Sequence, residues 1–295
     1  MKYLASKVKG NSLWSDALRR LLSDNLAVFS FLVIAAYIVT ALLASSNLIA
    51  VNWQDSIGAS QAAPSFVDGF SHWMGLDIFG RSVLQKTVQG AYTALYVGLV
   101  SSLISIPIGV LMGALAGYFG GWVDDLITWI YTTISNIPEI LLLVSIAFAL
   151  GKGIETMCIA LGMTSWVGLA RLIRAEFIKH KNREYVAAAQ ALGASHSRRI
   201  FKHIFPNVLH IVIIGFSLRF VVAIKSEVVL TYLGLGIEIG EGSSWGLMIS
   251  DAAGELVQGI WWGLASATLA MFPIVLAFSL FTDALRDAFD PKLRT

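Results

Sequence analysis

A single cysteine, Cys158, rules out an intrachain disulfide, and its place in an apolar run assigns it to packing. Charge is scarce as well. Asp, Glu, Lys and Arg together make up 14% of the residues, too few for a soluble domain of this length. No group of His and Cys has metal-ligand spacing, and no G-x-x-x-x-G-K-[ST] loop occurs, so we expect no metal site, no built-in ATPase and no catalytic residue. Nor is a nucleic-acid partner expected. What the chain has in quantity is apolar surface, at 56% of its 295 residues. That balance describes an all-α polytopic membrane protein bathed in lipid, because only helices or closed barrels satisfy their backbone there.

Six apolar stretches are candidates for crossing: residues 26–44 and about 88–118, 126–150, 154–173, 208–235 and 260–281. The first follows Lys2, Lys7, Lys9, Arg19 and Arg20. It is longer than a signal-peptide core and lacks a convincing cleavage site, so it reads as an uncleaved helix. Arg171 to Lys202 holds eight Lys or Arg against two Glu, whereas 236–259 holds Glu238, Glu241, Asp251 and Glu255 and no basic residue. The end carries Arg286, Lys292 and Arg294. The positive-inside rule then places both termini and the 174–206 loop in the cytoplasm. The expected organisation is a cytoplasmic segment 1–25, a first transmembrane helix 26–44, an extracytoplasmic loop 45–87, a five-helix core 88–282 and a cytoplasmic tail 283–295. Pro138 and Glu139 interrupt the third span, and Pro273 lies within the sixth. In the second, Gly109, Gly113 and Gly117 recur every fourth residue, a small-residue stripe suited to a close helix–helix seam.

The stretch Arg183–Asn207 stands apart as polar and basic. Glu184 to Leu192 reads as a short helix with Ala187, Ala188 and Ala189 at its centre. Gly193 is free to take positive φ and stop it. Ser195 can cap a second short helix to Phe205, which Pro206 is expected to end. Two helices at a fixed bend, with little side-chain bulk near the corner, would let another protein's backbone come close. The stretch resembles the EAA loop of binding-protein-dependent ABC importer permeases, E-A-A, three residues, G, nine residues, I-x-L-P. Ala188, Ala189, Gly193 and Pro206 match in register, while Ala187, His203 and Phe205 replace the family's Glu, Ile and Leu.

Three further stretches extend the likeness. His72-Trp-Met-Gly-Leu-Asp77-Ile-Phe-Gly-Arg81-Ser82 looks like the H-x-x-G-T-D-x-x-G-R-D segment of peptide permeases, with Leu76 and Ser82 departing. Within it, Asp77 and Arg81 are placed for a local ion pair that pins the loop. Glu227 to Gly236, followed by Ser244-Trp245-Gly246, resembles a segment of the C-type permease subunit, and Asp283 to Arg294 resembles that subunit's tail. The resemblance implies an ABC type I importer permease fold in a bacterial cytoplasmic (inner) membrane. It implies import of dipeptides or oligopeptides beside a homologous second permease, two ABC ATPase subunits and an extracytoplasmic peptide-binding protein. This chain would bind no cofactor, ATP and Mg²⁺ being used by the ATPases. Glu184, Ala187, Ala188, Ala189, Gly193 and Pro206 would form the coupling contact.

Glu139, Arg219, Lys225 and Glu227 fall inside predicted spans, where an ionised group costs about 2.5–3.5 kcal/mol on insertion scales. Glu139, Arg219 and Glu227 are candidates for lining a wet translocation pathway. Arg219 and Glu227 lie about 80° apart around a helix axis, and Lys225 about 160° from Glu227. In the other reading, Glu227 and Lys225 lie near the outer interface and snorkel or pair. Two functional alternatives stay open: the same type of permease acting on nickel or another small solute, and an ion-gradient-driven secondary carrier with Glu139 or Glu227 as proton site.

Overall fold

With no water at membrane depth the backbone must satisfy itself, and among the described residues helix is the dominant structure, interrupted mainly by the loop 46–82 and the connection 233–244. The computed structural model describes residues 13–237, 240 and 242–289. Lys2, Lys7, Lys9, Glu238, Glu241, Lys292 and Arg294 of the charge argument, and the end of the tail, lie outside the described residues. The helices are α1 (Leu13–Ser23), α2 (Asn25–Ser45), α3 (Val83–Phe119), α4 (Gly121–Ser135), α5 (Glu139–Leu150), α6 (Ile154–Thr164), α7 (Val167–Lys181), α8 (Glu184–Ala191), α9 (His196–Arg198), α10 (Phe205–Tyr232), α11 (Trp245–Leu256) and α12 (Trp262–Phe289). Among the described residues there is no strand beyond two isolated bridges, Ser56 to Arg81 and Leu76 to Ser82.

Among the described residues, five helical stretches are long and apolar enough to cross a membrane: Asn25–Ser45, Val83–Phe119, Ile154–Lys181, His196–Tyr232 and Trp262–Phe289. The sixth crossing is a pair, α4 and α5, bent by 89° at the break before Glu139. Pro138 is the local cause, since a proline disfavours helical geometry in the residue before it and offers no N–H to the preceding turn. Parity supports six. Arg20 and Asp24 share a crevice with Ala284, Asp287 and Ala288, so the first and last described helices meet at one end of the bundle, which requires an even number of crossings.

The central post is α3, capped by Ser82 through the Gln85 N–H and packed against α2, α6, α7 and α10. Its glycine stripe lies along α7. A Cβ at Gly113 would come within 2.5 Å of the Ala170 carbonyl oxygen, and one at Gly117 within 2.5 Å of that of Arg174. The expected seam is therefore internal to this chain. Arg174 then grips Asp124 of α4 through two hydrogen bonds of 2.6 Å, fastening α4 to the same helix.

Some expectations need correction. Pro206 does not end a helix: His196–Tyr232 runs on as one unit. A wider π-type turn over Arg199–Ile204 precedes the proline, which sits in the first turn of α10, where its missing N–H and fixed φ are tolerated. The fourth span continues to Lys181 rather than stopping near Ile173. The sixth carries on to Phe289, so the first part of the expected tail is helix. Between the fifth and sixth spans lies a helix, α11, that the sequence reading did not anticipate.

Gly113→Val should lower the melting temperature of the detergent-purified complex, corresponding to about 1–3 kcal/mol of overpacking strain. Leu111→Val, on an exposed face of the same helix, is the control and should change it little.

Candidate functional site

The basic loop forms a short helix standing out from the bundle. Val186 and Ala189 of α8 are buried, whereas Glu184, Ala187 and Ala188 are exposed and Leu192 is 89% exposed. Ala189 thus faces inward, and only part of the alanine run forms the outer surface. Val186 joins a cluster with Tyr118, Phe177, Ile204 and Val208, which ties α8 to α3, α7 and α10. Gly193 has φ +79°. The Gly193 N–H donates to the Gln190 carbonyl (2.9 Å) and the Ala194 N–H to that of Ala189 (3.0 Å), a Schellman closure. Ser195 caps the next helix through the Arg198 N–H. Nothing lies within 4 Å of a Cβ built on Gly193, so a side chain there would be strained by the backbone and not by crowding.

Four side chains whose contacts sequence reasoning missed fasten this junction. Arg199 donates to Gln190 Oε1 at 2.5 Å and lies 5.8 Å from the centre of the Tyr118 ring. Tyr118 Oη is 3.0 Å from His196 Nδ1. The basic density of the loop was visible in sequence, but the partner, at the far end of α3, was not. His210 stacks near Phe289, with ring centres 5.6 Å apart. Helix α8 therefore lies at the end of the bundle where α12 finishes.

At membrane depth, Glu139 and Arg219 come together. They line an open cleft of about 370 Å³ at the α4–α5 elbow, with Ser135, Pro138, Thr164 and Gly168. Glu139 also borders a smaller groove of about 150 Å³ that reaches Lys225. Glu227 is elsewhere. It is fully buried, accepts a hydrogen bond from Thr231 Oγ1 (2.9 Å) and faces Gly246. Lys225 is exposed, so the pair point apart, as their helical spacing requires.

The remaining motif residues build a cap over the other end. Asp77 Oδ1 accepts the backbone N–H groups of Phe79 (2.8 Å) and Arg81 (2.9 Å). Its Oδ2 takes Arg81 Nε (2.8 Å) and Lys86 Nζ (2.9 Å). The expected Asp77–Arg81 pair is thus present, with Lys86 as a second cation that also lies 3.8 Å from Asp251. Gly75 and Gly80 both take φ +72°. Trp262 Nε1 donates to the Leu76 carbonyl (2.9 Å) and Trp245 Nε1 to that of Thr87 (3.0 Å). Two motifs far apart in sequence therefore form one structure.

Burial alone would raise Asp77, but the Lys86 ammonium and the Arg81 N–H and guanidinium outweigh it, leaving the carboxyl below its ordinary value. Burial raises Asp251 despite Lys86. It raises Glu255 too, helped by the neighbouring Asp251 charge. The signs oppose. Asp77 stabilises above its unfolded pKa, and that stability is lost as pH falls through the lower folded value. The contribution of Asp251 and Glu255 is present in acid and lost as pH rises through their elevated values. Asp77→Asn should destabilise the purified complex at pH 7 by about 3 kcal/mol or more, as when one partner of a buried pair is removed, and flatten the acid limb of melting temperature against pH. Glu255→Gln should instead lessen the fall in melting temperature as pH rises through the range above its ordinary carboxylate value.

Residues 105–295 match the family described as binding-protein-dependent transport system inner membrane component. Residues 12–64 match the N-terminal transmembrane domain of oligopeptide transport permease C. The chain is 34% identical over 289 residues to the oligopeptide transport system permease protein OppC of Bacillus subtilis, covering 97% of this chain and 92% of that one. It is 35% identical over 292 residues to the dipeptide transport system permease protein DppC of the same organism, covering 98% and 90%. A third relative, the glutathione transport system permease protein GsiD of Shigella flexneri, is 34% identical over 283 residues, covering 95% and 91%.

Proposed function

Because the chain belongs to the family of binding-protein-dependent transport system inner membrane components, we propose that it serves as a permease subunit of an ATP-driven importer of dipeptides or oligopeptides. It is a multi-pass inner-membrane protein, and its similarity to OppC and DppC permeases runs over nearly its whole length. In this reading both termini and α8 face the cytoplasm, and a second, homologous permease completes the pathway. Two separate ATPase subunits use ATP and Mg²⁺, an extracytoplasmic binding protein delivers the peptide, and this chain performs no covalent step.

The observation that carries the coupling mechanism is the mounting of α8. Its outer face is exposed, its inner face packs in one cluster with α3, α7 and α10, and its Schellman turn sets the bend to the next helix. A helix seated in a groove of an ATPase and held this way moves as part of the bundle. ATPase closure would then shift the spans behind it and change which side the pathway opens to. Such a change needs a nucleotide or ligand that binds the two states differently. Glu184, Ala187, Ala188 and Gly193 lie at the contact, Ala189 fixes the helix from behind, and Pro206 starts the span that receives the push.

The test is ATP-dependent uptake of peptides from a loaded binding protein into vesicles holding the assembled complex. Uptake that follows an ion gradient instead of ATP would overturn the reading. Gly193→Val puts a β-branched residue at positive φ, costing about 1–2 kcal/mol, and should leave assembly and ATP hydrolysis intact. Uptake per ATP hydrolysed should fall by about tenfold, the equivalent of 1.4 kcal/mol, and Gly193→Ala should lose less.

A further inference from the structure

The cleft at the elbow of the third span holds more positive than negative charge. Arg171 and Arg219 both line it, with Glu139 as its one acid. Arg171 is steadied from one side, donating from Nη2 to Ser135 Oγ (2.8 Å) and lying 5.1 Å from the centre of the Tyr131 ring. Arg219 reaches across from α10 to lie against Gly168 on α7, where any side chain would collide with its Nη2. Among the described residues, neither arginine has a carboxylate within ion-pair distance. Cations left thus at membrane depth face water or a passing anion.

The polar setting fits one class of anion. The first turns of α5 and α7, with Glu139 and Gly168, border the space, while the Thr164 and Ser165 hydroxyls on its wall are turned to carbonyls of their own helix. Helix starts favour negative charge, and a guanidinium presents a planar fork that matches a carboxylate. The residues of the elbow from Ser135 to Leu141 are exposed, so the cleft opens outward, where a second permease would enclose it.

Resting on the peptide-importer reading, we propose that this cleft receives the α-carboxylate of the peptide in transit, with Arg219 as the main contact and Arg171 as the second. Glu139 carries the opposite charge at the cleft wall without pairing with either arginine, which weakens the hold on a peptide carboxylate so that it is not trapped. The cleft acts as a station on the pathway, and selection among side chains is left to other surfaces.

The test uses the complete complex in vesicles of zwitterionic lipid, with binding protein saturated by a tripeptide supplied as free acid or as C-terminal amide. Arg219→Gln should lower uptake of the free acid by about tenfold, the loss of one charge-assisted hydrogen bond, and of the amide by less than about twofold. Arg219→Lys keeps the charge without the fork and should fall between. If the glutamine variant does not co-purify with its partner subunits, the lysine variant carries the same comparison. Equal losses for both peptides, or no loss for either, would overturn the proposal. So would a difference that appears only when anionic lipid is added, which would assign the arginines to a lipid phosphate. Wild-type vesicles that import neither peptide would overturn the importer reading itself, and this site with it.

Discussion

The close approach of α3 to α7 is the contact on which the rest of the bundle depends. Hydrophobic attraction does little between helices in lipid, so association rests on how near two backbones can come. Gly109, Gly113 and Gly117 remove the side chains that would hold α3 off. The seam places Arg174 where it can hold Asp124 and thus α4. It also brings Tyr118 beside His196 and Arg199. Both the elbow with its arginines and the mounting of α8 are built out from this line.

Much of the architecture was legible because membrane helices announce themselves by length and hydropathy. The six crossings, the interruption at Pro138 and the glycine period all follow from local chemistry. Pro206 misled because proline signals a stop in the interior of a helix and a start in its first turn, and only the wider turn upstream decides which applies. Helix α11 was hidden for another reason. It is 12 residues long, carries two acids and follows a loop, so neither length nor apolar periodicity marks it.

The site residues divide along the same line. Gly193 was readable because positive φ is a property of one residue, and Asp77–Arg81 because the two are neighbours on the chain. Lys86 joining Asp77 and Asp251, or Arg171 joining Glu139 and Arg219 around one cleft, depends on how separate helices pack. Helical spacing correctly kept Lys225 and Glu227 apart. It placed Arg219 and Glu227 on nearby faces, yet Glu227 turns into the protein beside Gly246 and Arg219 into the cleft.

The elbow between α4 and α5 bears on how the protein is made. At 1.5 Å per residue the two pieces are about 22 and 18 Å long, against a hydrocarbon core of about 30 Å. Neither can cross alone, and the bend leaves backbone groups at its corner that lipid cannot satisfy. The other five spans are each long and apolar enough to cross as single rods, whereas this pair needs neighbours, and α6 and α7, which pack against it, follow it in the chain. The stability of the third crossing therefore depends in part on sequence that the ribosome delivers after it.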